Sequence, residues 1–452
     1  MNKISYFGTD GIRGKANSDH MNTEIGVSLG RAVANYVRNF NQLPQIVIGK
    51  DPRLSGYMIE TAIASGITSM GLNVIKTGPL PTPGIAFICN SMRARMGIMI
   101  SASHNPSDEN GIKLFDQHGF KLSLKEELFI EDLMVSDMYK KNLAKPNCVG
   151  KITQIHDADG RYVQYLKERF PHGHNLNDVK IALDCANGAA YSVAPKVFSE
   201  LGADVFTINN EPDGHNINKN CGSLYPEKIC EYTKKMHTDI GITFDGDADR
   251  VILSDEKGNV VDGDAILYIS AKHLNSKKQL GRSSVVGTIM SNQGLDLALK
   301  KEGIKLIRTD VGDHNVISYM RGHGINLGGE SCGHLIYLHH SSTGDGILAA
   351  LRVLSIMQQQ QRPLSEIVKG YHPFPQKTVN VEVKRKVDFD NVKNIAKVKM
   401  ETEKELKGKG RLIIRYSGTE NIARITVESK DEKLTNKLVK KLSHTVEENL
   451  GK

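Results

Sequence analysis

No apolar run in the 452 residues approaches the roughly 18 needed to cross a bilayer. The first residues, Met1-Asn2-Lys3-Ile4-Ser5, lead straight into polar sequence without the apolar core of an export signal. A soluble, unexported, cytoplasmic protein with no membrane partner is the expectation. Cysteine is sparse: Cys89, Cys148, Cys185, Cys221, Cys230 and Cys332 are scattered and form no CxxC pair. A chain this long needs no disulfide staples, so reduced thiols are expected. No basic stretch is interleaved with aromatic residues, so the net charge of +8 is not the footprint of a nucleic-acid binder. Lys433, Lys437, Lys440 and Lys441 recur at helical spacing as a solvated face, and a basic cleft for small anions fits the remaining excess. A serine hydrolase is not the expectation, since the His104 next to Ser103 is by itself no evidence of a triad.

At about 150 residues per domain, the length implies three or four domains. The first third alternates strand and helix patterns. Gln45 to Gly49 and Asn73 to Lys76 read as short apolar strands around a helix from Tyr57 to Met70, which implies an α/β unit with a mostly parallel sheet. Ser123-Leu124-Lys125-Glu126 is a capping box opening a helix through Met134, and polar sequence from Ser136 to Asp159 reads as a connection into a helix from Arg161 to Phe170. The pattern then restarts twice, between Val179 and Leu253 and between Asp264 and Arg308, without repeated sequence. From about Gln376, the order strand, helix, two strands, helix marks a smaller α+β unit. The expected boundaries are 1–155, 156–256, 257–370 and 371–452.

Four loops carry chemistry. Ser101-Ala102-Ser103-His104-Asn105-Pro106 follows the buried-strand pattern Met96 to Ile100, so Ser103 and His104 fall at a strand's carboxyl end, where open α/β sheets bind ligands. Asp245-Gly246-Asp247-Ala248-Asp249-Arg250 places carboxylates at alternate positions, where three hard oxygens can converge on one divalent cation. An EF-hand is excluded, because Arg250 stands where its turn needs glycine and the flanks read as strands. A solvated acidic turn is the other reading. Gly328-Gly329-Glu330-Ser331-Cys332-Gly333-His334 is either a structural glycine turn or a sugar loop, with Glu330 accepting from hydroxyls and His334 donating. Arg415-Tyr416-Ser417-Gly418-Thr419, with Arg424 on the following strand, is either an ordinary turn or a phosphate cradle of backbone N–H groups, hydroxyls and guanidinium forks. Arg13, between glycines, and Lys113 could reach the same cleft or lie on the surface.

In this order, FGTDGIRG (7–14), GKDPRLSG (49–56), PTPGIA (81–86), ISASHNP (100–106), DGDADR (245–250) and RYSGTE (415–420) resemble the α-D-phosphohexomutase superfamily along essentially the whole chain. LDCANGAA (183–190) and PDGHNINKNCGS (212–223) are most similar to its bacterial phosphoglucosamine mutases. The resemblance implies a four-domain α/β architecture, three similar domains with mixed or parallel sheets plus a smaller C-terminal α+β domain, around a central cleft. It also implies an isomerase that interconverts glucosamine 6-phosphate and glucosamine 1-phosphate for the UDP-N-acetylglucosamine and cell-wall pathway. Ser103 is similar to the family's phosphoserine, and Ser103, Asp245, Asp247 and Asp249 to the ligands of one Mg²⁺. Glucosamine 1,6-bisphosphate would be the intermediate and activator. Glu330, Cys332 and His334 would meet the sugar, and Arg415, Ser417, Gly418, Thr419 and Arg424 its non-reacting phosphate. Arg13, His104, Lys113 and Arg250 resemble the cleft's electrostatic and acid/base groups. Partners would be small sugar phosphates, with no nucleic acid, and a homodimer is compatible. A phosphoglucomutase or phosphomannomutase is the near alternative; a non-catalytic sugar-phosphate or nucleic-acid binder is the distant one. Four positions depart from the family pattern: Cys332 stands for Ser, His314-Asn315 for Arg-Tyr, and Asn421 for Pro.

Overall fold

Three of the four chemistry-bearing loops join the same pair of strands in three copies of one sheet. The computed structural model describes residues 6–8, 10–18, 20–38, 45–136, 142–417 and 421–451. Strands β1 (Phe7–Gly8), β2 (Gly11–Lys15), β3 (Gln45–Lys50), β4 (Asn73–Pro79), β5 (Met96–Ile100), β6 (Glu109–Asp116) and β7 (Ile152–Gln154) form one sheet in the order β1-β2-β6-β5-β3-β4-β7. Strands β8 (Lys180–Asp184), β9 (Asp204–Ile208), β10 (Ile240–Phe244), β11 (Val251–Asp255) and β12 (Val260–Val261) form a second, ordered β12-β11-β10-β8-β9. The third holds β13 (Ser284–Thr288), β14 (Lys305–Thr309), β15 (Leu327–Gly329) and β16 (Leu335–Tyr337), ordered β14-β13-β15-β16.

Laid side by side, these sheets share the cores β6-β5-β3-β4, β11-β10-β8-β9 and β16-β15-β13-β14. In each, one antiparallel pair is followed by two parallel pairings. The repeat expected from the pattern is therefore a repeat of topology. The connection inside each antiparallel pair carries the Ser103 loop, the aspartate loop and the Glu330–His334 loop in turn.

Two expectations need correcting. The first sheet is mixed rather than mostly parallel, because β1, β2 and β6 add antiparallel pairings to it. The polar stretch after Ser136 is also more than a connection: β7 within it pairs in parallel with β4 as the sheet's edge. Its three residues are all exposed, so no apolar alternation announces the strand. The helices Pro226–Met236, Asp313–His323 and Gly346–Gln360 also escaped the sequence reading. The capping box is present as expected: Ser123 caps the helix Leu124–Val135 and Glu126 returns the bond. Ser123→Ala should lower the thermal unfolding free energy by about 1 kcal/mol, read from melting curves.

Burial sets the domain relations. One continuous core runs from Val47 and Met99 through Leu183 and Phe244 to Val285 and Leu351, tying the three sheets together. The fourth unit has strands β17 (Gln376–Glu382), β18 (Gly410–Tyr416) and β19 (Ile422–Ser429), ordered β17-β19-β18, under the helices Lys393–Leu406 and Glu432–Leu450. Its core of Val381, Ile425, Leu438 and Leu442 is a separate cluster. Among the described residues, no helix is long and apolar enough to cross a membrane.

Candidate active site

Ser103 is buried, with backbone φ of 52°. This left-handed conformation costs a non-glycine residue about 1–2 kcal/mol, so neighbours must hold it. Two residues outside the predicted site do so. Arg53, fully buried and paired with Asp51, donates to Ser103 O (3.2 Å), Asn105 O (2.6 Å) and Pro106 O (3.4 Å). Asn218, from the second unit, donates to Ser103 O (2.9 Å) and Asn105 O (3.0 Å). The aspartate loop reaches Ser103 only because Gly246 lacks a side chain; a Cβ there would lie 2.5 Å from Ser103 O.

Within that contact Ser103 Oγ donates to Asp245 Oδ2 at 2.5 Å. Asp245, Asp247 and Asp249 are all buried and offer ligand atoms within 4.8 Å of one another. Burial, then Asp249 and Asp247, hold the Asp245 carboxyl well above the usual range. Burial also pushes Asp249 upward, but Lys113, His334 and Arg250 outweigh it and leave this carboxyl well below the ordinary value. The Lys113 ammonium lies 3.0 Å from both Asp247 Oδ2 and Asp249 Oδ2, and Thr82 Oγ1 donates to Asp247 Oδ2 at 2.6 Å. Among the described residues, Asp247 Oδ1 and Asp249 Oδ1 are buried without a hydrogen-bond partner. Such oxygens are costly unless a cation takes them up, and three hard carboxylates suit a divalent ion with oxygen preference. The triplet is thus a site that can hold a metal, which excludes the solvated-turn reading.

His104 Nδ1 lies 3.4 Å from Ser103 Oγ and 2.9 Å from Arg250 Nη1. A guanidinium only donates, so Nδ1 is the acceptor and the ring proton sits on Nε2. Burial, then Arg250 and Arg13, push this imidazole down to about 4. Arg13 Nη1 donates to Ser101 O (3.2 Å), and its Nη2 pairs with Asp10 (2.5 Å). Asp10 also receives Lys121 (2.7 Å), a junction that sequence reasoning missed.

His334, buried, points Nδ1 at Asp249 Oδ1 (3.6 Å) and leaves Nε2 without a partner. Burial lowers its affinity for a proton, but Asp249 and then Asp313 and Glu330 outweigh this and raise it to about 9. Glu330 Oε1 accepts from Gly312 N (3.1 Å), and Cys332 Sγ lies 3.8 Å from Glu330 Oε2. On the fourth unit Arg415 stands directly opposite Arg424 across β18 and β19. Like charges in that register are destabilising by a few tenths to about 1 kcal/mol. Burial, then Arg424, pull the Arg415 guanidinium below its usual value, partly offset by Glu330. A bound anion would relieve both effects. Ser417 is buried, and its carbonyl accepts from Lys386 (2.7 Å); Gly418 and Thr419 lie outside the described residues.

The aspartate, Glu330–His334 and Arg415–Ser417 loops meet around a cavity of about 530 Å³ lined by Asp249, Arg250, Glu330, His334, Arg415 and Ser417, while Ser103, His104, Lys113 and Arg13 are not among its lining residues. A wider cleft of about 900 Å³, by the helix Ala158–Lys167, is lined by none of the predicted site residues. Arg53 and Asn218 carry no role in the sequence reading because their partners are backbone carbonyls in a remote loop; the available signals are the GKDPRLSG and PDGHNINKNCGS stretches that contain them.

Three topological repeats, a serine bonded to an acidic triplet, and a cavity that runs from Asp249 of that triplet to Arg415 and Arg424 of the fourth unit together define a phosphosugar mutase architecture. The family described as phosphoglucomutase/phosphomannomutase matches through its alpha/beta/alpha domain I at residues 5–141, domain II at 160–258, domain III at 262–374 and C-terminal domain at 379–444. The chain belongs to this family, the α-D-phosphohexomutases. Within it, the chain is 51% identical over 426 residues to the phosphoglucosamine mutase of Citrifermentans bemidjiense, covering 94% of each chain. It is 50% identical over 445 residues to that of Geobacter sp. strain M21, covering 98% of each. The fold is similar to that of Aspergillus fumigatus N-acetylphosphoglucosamine mutase, solved with GlcNAc-6P and magnesium: TM-score 0.67, 17% identity, 99% of this chain and 96% of that one.

Proposed function

We propose that the protein is an isomerase interconverting glucosamine 6-phosphate and glucosamine 1-phosphate, with Ser103 as phosphoryl carrier. The observation that carries this reading is the Ser103 Oγ to Asp245 Oδ2 contact of 2.5 Å, which makes hydroxyl and cation site one constellation. The near full-length identity to phosphoglucosamine mutases supports the amino sugar as substrate.

Phosphoryl transfer demands in-line positioning and charge neutralisation more than covalent help from the protein. One Mg²⁺ held by Asp245, Asp247, Asp249 and a phosphoserine oxygen would neutralise charge on the transferring group. Arg415 and Arg424, with Ser417, Gly418 and Thr419, hold the non-reacting phosphate and so present the sugar's free hydroxyl to Ser103. The bond from phosphorus to Ser103 Oγ breaks as the bond to the sugar oxygen forms, and the proton lost by the sugar hydroxyl is regained on Ser103 Oγ, giving glucosamine 1,6-bisphosphate and free serine. After that molecule turns end for end, its other phosphate returns to Ser103 and the cradle holds the one that remains. Glu330, Cys332 and His334 meet the sugar, His334 through its Nε2. Lys113 and Arg13 supply positive charge beside Ser103. Arg250 fixes His104 as a neutral ring with its acceptor nitrogen toward the serine.

Initial rates on glucosamine, glucose and mannose 6-phosphates test the substrate. Glucosamine 6-phosphate should have the highest kcat/KM, whereas equal or better turnover of glucose 6-phosphate would move the protein to the phosphoglucomutases. Arg53→Lys keeps the charge against Asp51 but loses the guanidinium fork on the Ser103 loop, so kcat should fall about ten- to a hundredfold with little change in KM. We place the domain boundaries at 155/156, 256/257 and 370/371 and the protein in the cytoplasm. A homodimer is the assembly favoured by the exposed Leu124, Leu128, Phe129 and Val135 of one helix.

A further inference from the structure

The cradle arginines have a structural counterpart at the other end of their strands. On β18, Arg411 shares a face with Arg415, since alternate residues of a strand point the same way. Across the ladder Glu428 stands opposite Arg411, as Arg424 stands opposite Arg415. One face of two strands thus carries a like-charged pair at the cleft end and an opposite-charged pair four residues away.

The second pair leaves its own domain. Arg411 Nη1 donates to Ile289 O at 2.9 Å, Nη2 donates to Ser291 O, and Nε donates to Glu428 Oε2 at 3.0 Å. Glu428, fully buried, accepts with its other oxygen from the backbone N–H of Gln293, the first residue of the helix Gln293–Lys301. Every group bound in this way belongs to the segment just after β13 in the third unit, and Ile289 lines the catalytic cavity. Asn292 in the same segment bonds both the N–H and the carbonyl of Phe374, in the connection that leads into the fourth unit. Because the fourth unit has a separate apolar core, these polar contacts fix its angle to the rest.

The geometry points to Arg411 and Glu428 as positioning residues that lock the fourth unit onto residues 289–293 and thereby aim the Arg415–Arg424 cradle at the sugar phosphate. Four residues of strand separate lock and cradle by about 13 Å. A tilt of about 10° at the lock moves the cradle by about 2 Å, enough to misplace a phosphate held by bidentate bonds. Arginine is required because one planar fork must serve two carbonyls and a carboxylate together. The inference rests on the mutase reading of the cavity.

The test uses Arg411→Gln, Arg411→Lys and Glu428→Gln in the full chain, with steady-state kinetics on glucosamine 6-phosphate, X-ray solution scattering and the mass of the protein after incubation with glucosamine 1,6-bisphosphate. Arg411→Gln and Glu428→Gln should raise KM at least tenfold with kcat within about threefold. Arg411→Lys should fall between them and the parent, the radius of gyration should rise, and phosphate should still load onto Ser103. Unchanged KM and scattering would overturn the inference. So would a parallel collapse of kcat, KM and phosphate loading with a lowered melting temperature, which is the mark of a merely structural pair. If the parent does not turn over glucosamine phosphates at all, it is the mutase reading that fails instead.

Discussion

Ser103→Ala is expected to lower mutase turnover by about a thousandfold or more, with the fold intact. Among the described residues the one other hydroxyl bonded to the triplet is that of Thr82, whose Oγ1 contacts Asp247 rather than Asp245. Alanine keeps the left-handed backbone no worse than serine does, and the loop's ties from Arg53 and Asn218 run to carbonyls that remain. The melting temperature should therefore stay within a few degrees of the parent. Loss of activity with retained stability assigns the serine to chemistry. Full activity in this variant would refute the phosphoserine mechanism.

Removing one carboxylate should have the next largest effect. Asp247→Asn keeps the shape of the site and an acceptor for Thr82, but leaves a weaker ligand and takes one negative charge from Lys113. Turnover should fall about a thousandfold, comparable to the loss of other preorganised charge at a reacting centre. The second readout is thermal. A ligand at a hundred times its dissociation constant stabilises the folded state by about 2.7 kcal/mol, so added Mg²⁺ should raise the parent's melting temperature and the variant's much less. In the absence of metal the variant should be no less stable than the parent, because three buried carboxylates repel one another and Asp247 has one oxygen without a partner. Equal Mg²⁺ shifts in parent and variant would remove Asp247 from the metal site.

What could be read beforehand follows the range of the forces involved. The apolar run Met96 to Ile100, the alternate aspartates and the capping box are local patterns, and each stands where it was expected. The Arg415–Arg424 opposition depends on the register of β18 and β19, which sequence spacing alone does not set. The sugar-loop histidine shows the same limit more sharply. Its motif says nothing of Asp249, which His334 Nδ1 faces because an isolated bridge between Arg250 and His334 brings two hairpins of different units together. Arg53 and Asn218 mark the furthest reach of this effect, acting on a loop about fifty and more than a hundred residues away. The helix Gly346–Gln360 escaped notice for another reason: it is apolar on nearly every side because the core surrounds it, so it shows no amphipathic stripe.

The central claim, that Ser103 carries the phosphoryl group through the reaction, is tested most directly by intact mass combined with the mutase assay. Protein freed of phosphate should gain one phosphate-sized increment on incubation with glucosamine 1,6-bisphosphate and Mg²⁺, mapping to Ser103, and initial velocity should rise in proportion to the fraction so labelled. Full activity in protein that carries no phosphate at Ser103 before, during or after turnover would contradict the account.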